Sequence, residues 1–164
     1  MKGEPIVPPI VHSATFRFES TADLIDVVRN RSGYLYSRWD NPTVRIVEQE
    51  LADLEETDDA IAFASGMAAI TTSILAHVRP GDHVAAIATY GETVRFLTDF
   101  LPAIGIQTMQ FSADEVPACR NLLQHGVTVL YLETPMNPLL RVLDVKTLAE
   151  AAHEKGTLVL LDAT

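Results

Sequence analysis

The sequence predicts an α/β fold built on a mostly parallel sheet, and three observations carry that expectation. After Asp59, short apolar runs alternate with longer segments of helical period. The runs are nearly continuous in apolar residues, as strands covered on both faces read. Turn signals punctuate them at Pro80-Gly81-Asp82, Gly105, Gly126 and Gly156. Repeated βα units of this kind imply a parallel sheet joined by right-handed crossovers.

The elements follow in order. Pro5, Pro8 and Pro9 argue against regular structure at the start. Thr21 to Arg29 reads as a short helix capped by Ser20 or Thr21. An aromatic and polar loop, Gly33 to Asp40, precedes Asn41-Pro42-Thr43, where Asn41 suits a cap and Pro42 the first helical position. Val44, Val47, Leu51 and Leu54 then recur at helical spacing as one apolar stripe. Strands are expected at Ala60–Ala64, His83–Ala88, Gln107–Phe111, Thr128–Leu132 and Thr157–Leu161. Helices are expected at Met67–Val78, Glu92–Ala103, Asp114–His125 and Val145–Lys155.

Composition narrows the function. A length of 164 residues suits one domain, and a hydrophobic fraction of 48% supplies a core. The formal net charge of −10 repels phosphate backbones, which argues against nucleic acid as a partner. The single cysteine, Cys119, forms no intrachain disulfide; it reads as a packing residue in a helix and fits a reducing, cytoplasmic setting. Prolines in Met1–Pro9 stand where a signal peptide would need an apolar core. The uncharged stretch Ala60–Val78 has the length of a membrane span, but Ser65, Gly66, Thr71, Thr72 and Ser73 favour a buried strand followed by a buried helix. Neither a membrane nor a bound metal is expected.

In open α/β sheets ligands bind beyond the carboxyl ends of the strands, so the residues there matter most. Ser65-Gly66-Met67 leads into a helix, where free N–H groups form an anion site; Gly66 serves either a tight turn or the close approach of a phosphate. Tyr90 is placed either to stack on a planar ligand or simply to be half-buried. Glu133-Thr134-Pro135-Met136-Asn137-Pro138 is either a stiff ligand-contacting loop or a proline-rich turn. Asp162, after Leu158–Leu161, needs a partner for its charge; a protonated heterocycle nitrogen or a helix end would serve. Arg38 offers a planar fork suited to phosphate, or lies solvated.

Taken together, these residues resemble the Cys/Met-metabolism family of pyridoxal-phosphate (PLP) enzymes, which includes cystathionine γ-synthase, cystathionine γ- and β-lyases, methionine γ-lyase and O-acetylhomoserine sulfhydrylase. The resemblance runs from Pro8-Pro9-Ile10 and Ser13-Ala14-Thr15-Phe16 to Asp162. It is carried by Tyr36-x-Arg38-x-x-Asn41-Pro42-Thr43, Ser65-Gly66-Met67 and Glu133-Thr134-Pro135-x-Asn137-Pro138. The resemblance implies the three-layer type I PLP fold of the aspartate aminotransferase class, here incomplete. Residues 1–43 would form an arm and intersubunit loop, and 44–164 the first part of the large, PLP-binding domain. It implies that Ser65, Gly66 and Met67 hold the PLP phosphate, and that Tyr36 and Arg38 reach the phosphate of a neighbouring subunit. Tyr90 would stack on the ring and is the candidate catalytic group for assisting proton transfer. Asn137 would contact the ring's 3-oxygen and Asp162 the ring nitrogen, with Thr164 nearby.

The same resemblance implies a homo-oligomer, a tetramer of active-site-sharing dimers, acting on an amino acid by β- or γ-elimination or γ-replacement. Cystathionine γ-synthase or γ-lyase is the leading expectation. Three departures stand out. The family's Schiff-base lysine lies downstream of Asp162 in a Ser-x-Thr-Lys segment, and Lys2, Lys146 and Lys155 do not match it. Glu92 follows Tyr90-Gly91, where family members often have glycine or, in methionine γ-lyases, cysteine. Asp162-Ala163-Thr164 stands where Asp-Asn-Thr is usual. The chain alone is therefore expected to be inactive and to associate or be unstable. The rival expectations are a non-catalytic short member that pairs with a full-length subunit, and a different type I PLP enzyme such as an aminotransferase.

Overall fold

The computed structural model describes residues 6–88 and 90–164. The expectations for Met1–Pro5, and the position of Thr89, lie outside the described residues. The chain divides into two compact units, Met1–Ala62 and Phe63–Thr164.

The first unit holds helix α1 (Thr21–Asn30) and helix α2 (Pro42–Leu54). A reciprocal capping box opens α1: the Asp23 N–H donates to the Ser20 hydroxyl, and the Asp23 carboxylate accepts from the Ser20 N–H. The Asn-Pro-Thr segment is structural in each of its residues. Asn41 Oδ1 accepts from the Thr43 N–H at 2.9 Å, Pro42 takes the first helical position, and Thr43 Oγ1 accepts from the Val11 N–H at 2.9 Å. Asn41 also donates to the Val11 carbonyl and the Ser37 hydroxyl. A lone antiparallel bridge between Thr15 and Tyr36 ties the early chain to the aromatic loop. The apolar stripe on α2 stays uncovered: Val44, Val47, Leu51 and Leu54 are 44–76% exposed.

The strand expected at Ala60–Ala64 does not form. Apolar residues make a strand only where neighbouring backbone completes the ladder, and here the donors are taken by carboxylates. The Ala60 N–H donates to Asp59 Oδ1 and the Ala62 N–H to Glu48 Oε1 at 2.8 Å. Arg45 completes this cluster, bonding Asp59 at 2.8 Å and Glu48 at 3.3 Å.

The second unit is a three-layer sandwich. Its parallel sheet runs β2-β1-β3-β4, with β1 (His83–Ile87), β2 (Gln107–Phe111), β3 (Val129–Glu133) and β4 (Leu158–Asp162). These match the four later expected strands to within a residue. Alternate residues serve opposite faces. Ala85, Ile87, Leu130 and Leu132 pack with Cys119 and Leu123 of α6 (Val116–Leu123) and Leu148, Ala151 and Ala152 of α7 (Val145–His153). Val84, Ala86, Val129 and Tyr131 pack with Ile74 of α3 (Gly66–His77) and with Leu97 and Leu101.

The helix expected over Glu92–Ala103 is divided. Helix α4 (Gly91–Arg95) passes into a π-turn (Phe96–Phe100) before the short α5 (Leu101–Ala103). The wide turn, closed by the Leu101 N–H on the Phe96 carbonyl, comes just before Pro102, which has no N–H to continue an ordinary α ladder. Among the turn glycines, Gly105 needs its lack of a side chain: φ is +83° and an added Cβ would lie 3.3 Å from Pro80. The stretch weighed as a membrane span resolves into irregular chain and the 12-residue α3. No helix among the described residues is long and apolar enough to cross a membrane.

Two outcomes follow from this core. Leu130→Ala removes a fully buried side chain from the central strand β3 and should cost about 2–5 kcal/mol in denaturant unfolding. Cys119 is fully buried, and burial pushes its thiol up to about 11. It should resist alkylation at neutral pH in the folded chain and react once the chain is unfolded.

Candidate active site

In the order β2-β1-β3-β4 the connections out of β1 and β3 leave toward opposite edges. That reversal opens a crevice beyond the carboxyl ends of the two central strands. A cavity of about 430 Å³ lies there, within the range of small-molecule sites. Its wall includes Ser65, Gly66, Met67, Tyr90, Asn137, Asp162 and Thr164. All seven second-unit residues singled out from the sequence thus meet around one space, although they come from four separate chain segments.

The α3 end supplies donors. Ser65 Oγ accepts from the Ala68 N–H at 3.1 Å and the Ser65 carbonyl from the Ala69 N–H. Among the described residues, nothing accepts from the Gly66 and Met67 N–H groups. Gly66 has no positive φ, and an added Cβ would meet nothing within 4 Å. The tight-turn reading therefore finds no support in its backbone, whereas the open space suits a ligand approaching the main chain. The described wall residues include no lysine or arginine.

At the other end, Asp162 closes β4. Its Oδ2 accepts from the Tyr131 hydroxyl at 2.9 Å, and its Oδ1 accepts from the Thr164 hydroxyl at 2.7 Å and N–H at 3.1 Å. Burial pushes the carboxyl up, but the bonds from Thr164 and Tyr131 outweigh it and hold the group below its ordinary value. Burial, and then the Asp162 carboxylate, push the Tyr131 hydroxyl well up, against a smaller opposing effect of Thr93. The pair therefore rests as an anion and a neutral donor at neutral pH. A carboxylate offers about four acceptor positions; three are used, leaving room for one further donor from the cavity.

Tyr90 is the cap residue just before α4 and is 42% exposed. Asn137 lies in the loop after β3, where Thr134-Pro135 and Asn137-Pro138 are both cis. Glu133 joins these two segments: Oε2 accepts from the Tyr90 N–H at 2.9 Å and Oε1 from the Asn137 N–H at 3.0 Å. Sequence reasoning quoted Glu133 within a motif but gave it no role, and it overlooked Tyr131. A carboxylate directly after the apolar run Val129–Leu132 was the available signal for Glu133, since a buried charge requires partners.

Tyr36 and Arg38 belong to the first unit. Both are exposed, and the Arg38 guanidinium stands 5.1 Å from the centre of the Tyr36 ring. Neither described lysine, Lys146 or Lys155, lines the cavity. Among the described residues, no group of three or more His, Cys, Asp or Glu side chains is arranged to hold a metal.

Comparison with known proteins places the chain in a family. The chain is 34% identical to cystathionine gamma-synthase 1 of Nicotiana tabacum over 98% of its own length and 30% of the relative's. It is 35% identical to an L-methionine gamma-lyase of Fusobacterium nucleatum over 95% of this chain and 40% of that protein. The crystal structure of cystathionine gamma synthase from Xanthomonas oryzae in complex with cystathionine superposes with a TM-score of 0.85 at 29% identity, covering 97% of this chain and 40% of the other. This chain thus spans well under half the length of these relatives. Residues 2–164 match the family described as Cys/Met metabolism PLP-dependent enzyme, and the chain belongs to that family.

Proposed function

We propose that this chain forms the cofactor-holding part of a PLP-dependent enzyme of the transsulfuration type. Its substrate class is a sulfur amino acid or an activated homoserine, processed by β- or γ-elimination or γ-replacement, with cystathionine γ-synthase or γ-lyase the nearest activity. The observation that carries this reading is the meeting of Gly66, Met67, Tyr90, Asn137 and Asp162 around one cavity at the strand ends.

Each residue has a physical part. The Gly66 and Met67 N–H groups, at the positive end of α3, donate to the phosphate of PLP. A helix terminus contributes only about 0.3–1 kcal/mol per charge at exposed sites, and the described wall residues bring no cation. Tyr36 and Arg38 of a second copy complete the phosphate site, with residues 1–43 as the arm that delivers them. Tyr90 covers the ring face and Asn137 donates to the ring's 3-oxygen. Asp162, already ionised, accepts from the ring nitrogen and favours its protonated form. PLP bound in this way supplies an electron sink for carbanions on the substrate.

Pyridoxamine 5′-phosphate is a suitable probe, because it has an amine in place of the aldehyde and forms no adducts with lysine. It should bind the chain in calorimetric titration, and inorganic phosphate should compete. Gly66→Val places a side chain in open space, so stability should change by no more than about 1 kcal/mol. Affinity for both probes should fall about tenfold or more, as when a hydrogen bond to a charged group is lost. Unchanged affinity would remove the phosphate from α3.

Asp162 gives a pH test. Its carboxyl is held below 3.8, so its contribution to stability is present above the unfolded-state value and is lost as pH falls through the folded one. Carbon-detected NMR titration should place its midpoint below 3.8. Tyr131→Phe, which removes one donor, should move that midpoint upward.

A further inference from the structure

We propose that Glu133 is a positioning residue of this site, one buried carboxylate that sets the spacing between Tyr90 and Asn137; this rests on the cofactor reading above. The β1–β3 ladder ends at the Ile87–Leu132 pair. On the other side of β3, backbone pairing continues one step further, through Glu133–Asp162 and the Thr134 N–H on the Asp162 carbonyl. Toward β1, among the described residues, a side chain makes a link beyond the ladder. Glu133, 5% exposed, reaches from the tip of β3 to the Tyr90 N–H with one oxygen and the Asn137 N–H with the other.

The chemistry of the side chain fits this task. A carboxylate presents two equivalent acceptors on one rigid group, and hydrogen bonds to a charged acceptor are about twice as strong as neutral ones. Glutamine would turn an N–H₂ toward one of the two amides and leave that amide facing a donor. Aspartate keeps the charge but is one methylene too short to reach both segments. Asp162 has an acceptor position left for the cavity, whereas Glu133 spends an oxygen on each flanking loop. Both carboxylates line the cavity; Asp162 keeps an acceptor for the ligand, and Glu133 sets the gap into which the ring fits. Without the bridge, Tyr90 and Asn137 would each stay attached to an ordered strand but lose their common reference. Recognition of the ring would suffer, while the α3 amides would be untouched.

The test compares the intact chain with Glu133→Gln and Glu133→Asp. Amide hydrogen exchange is read at Tyr90 and Asn137 without ligand, and affinities are measured for pyridoxamine 5′-phosphate and for inorganic phosphate. The expected result is exchange at least about tenfold faster at one of the two amides, with protection in β1 and β3 retained. Affinity for pyridoxamine 5′-phosphate should fall about tenfold, and that for phosphate should change by less than about twofold. Where Glu133→Gln does not fold, the same measurements on Glu133→Asp decide the matter. Unchanged exchange, unchanged affinity for a probe that the wild type binds, or parallel loss of both ligands overturns the positioning role alone. Failure of the wild type to bind pyridoxamine 5′-phosphate overturns the cofactor reading and this role with it.

Discussion

The parallel pairing of β1, β3 and β4 is the constraint on which the second unit depends. Because all four strands point the same way, every strand tip is delivered to the same side of the sheet, where the connecting segments begin. Register then brings particular atoms together. The Glu133–Asp162 pair sits at the end of its ladder, so two carboxylates from strands far apart in sequence become neighbours. The apolar alternation along β1 and β3 holds that register in place, since a slip of one residue would exchange the side chains facing α3 with those facing α6 and α7.

The two carboxylates show how similar groups acquire different work. Both end apolar strands, Glu133 buried and Asp162 partly so. Glu133 is satisfied by backbone amides of flanking loops, while Asp162 is satisfied by Tyr131 and Thr164 with capacity left over. The first arrangement fixes geometry and the second keeps a negative charge available. Tyr131 serves both architecture and chemistry: its ring packs in the core against α3, and its hydroxyl steadies the charge at the rim.

Much of this was legible in the chain. Caps announced themselves through Ser20 and Asn41, and the period of the apolar runs gave four strands within a residue. The cavity wall was legible because sheet topology dictates where ligands sit, leaving only a few positions to inspect. Ala60–Ala64 misled because composition reports hydrophobicity but not whether a backbone partner exists; Glu48 and Asp59 took up donors a sheet would have needed. Glu133 escaped notice because its partners are main-chain amides, which carry no residue-specific mark in a sequence. The π-turn at Phe96–Phe100 escaped for a related reason, since its apolar spacing differs little from that of an α-helix.

The uncovered stripe on α2 bears on how the chain behaves in solution. Four aliphatic side chains on one helical face attract their like, while a formal charge of −10 holds copies apart. These influences have different reach. Electrostatic repulsion extends about 30 Å at 0.01 M salt but only about 8 Å at 0.15 M, whereas aliphatic contact acts only at touching distance. Dilute buffer thus favours dispersion, and salt admits the close encounters that the stripe rewards. Ionic strength becomes a natural dial for handling this protein.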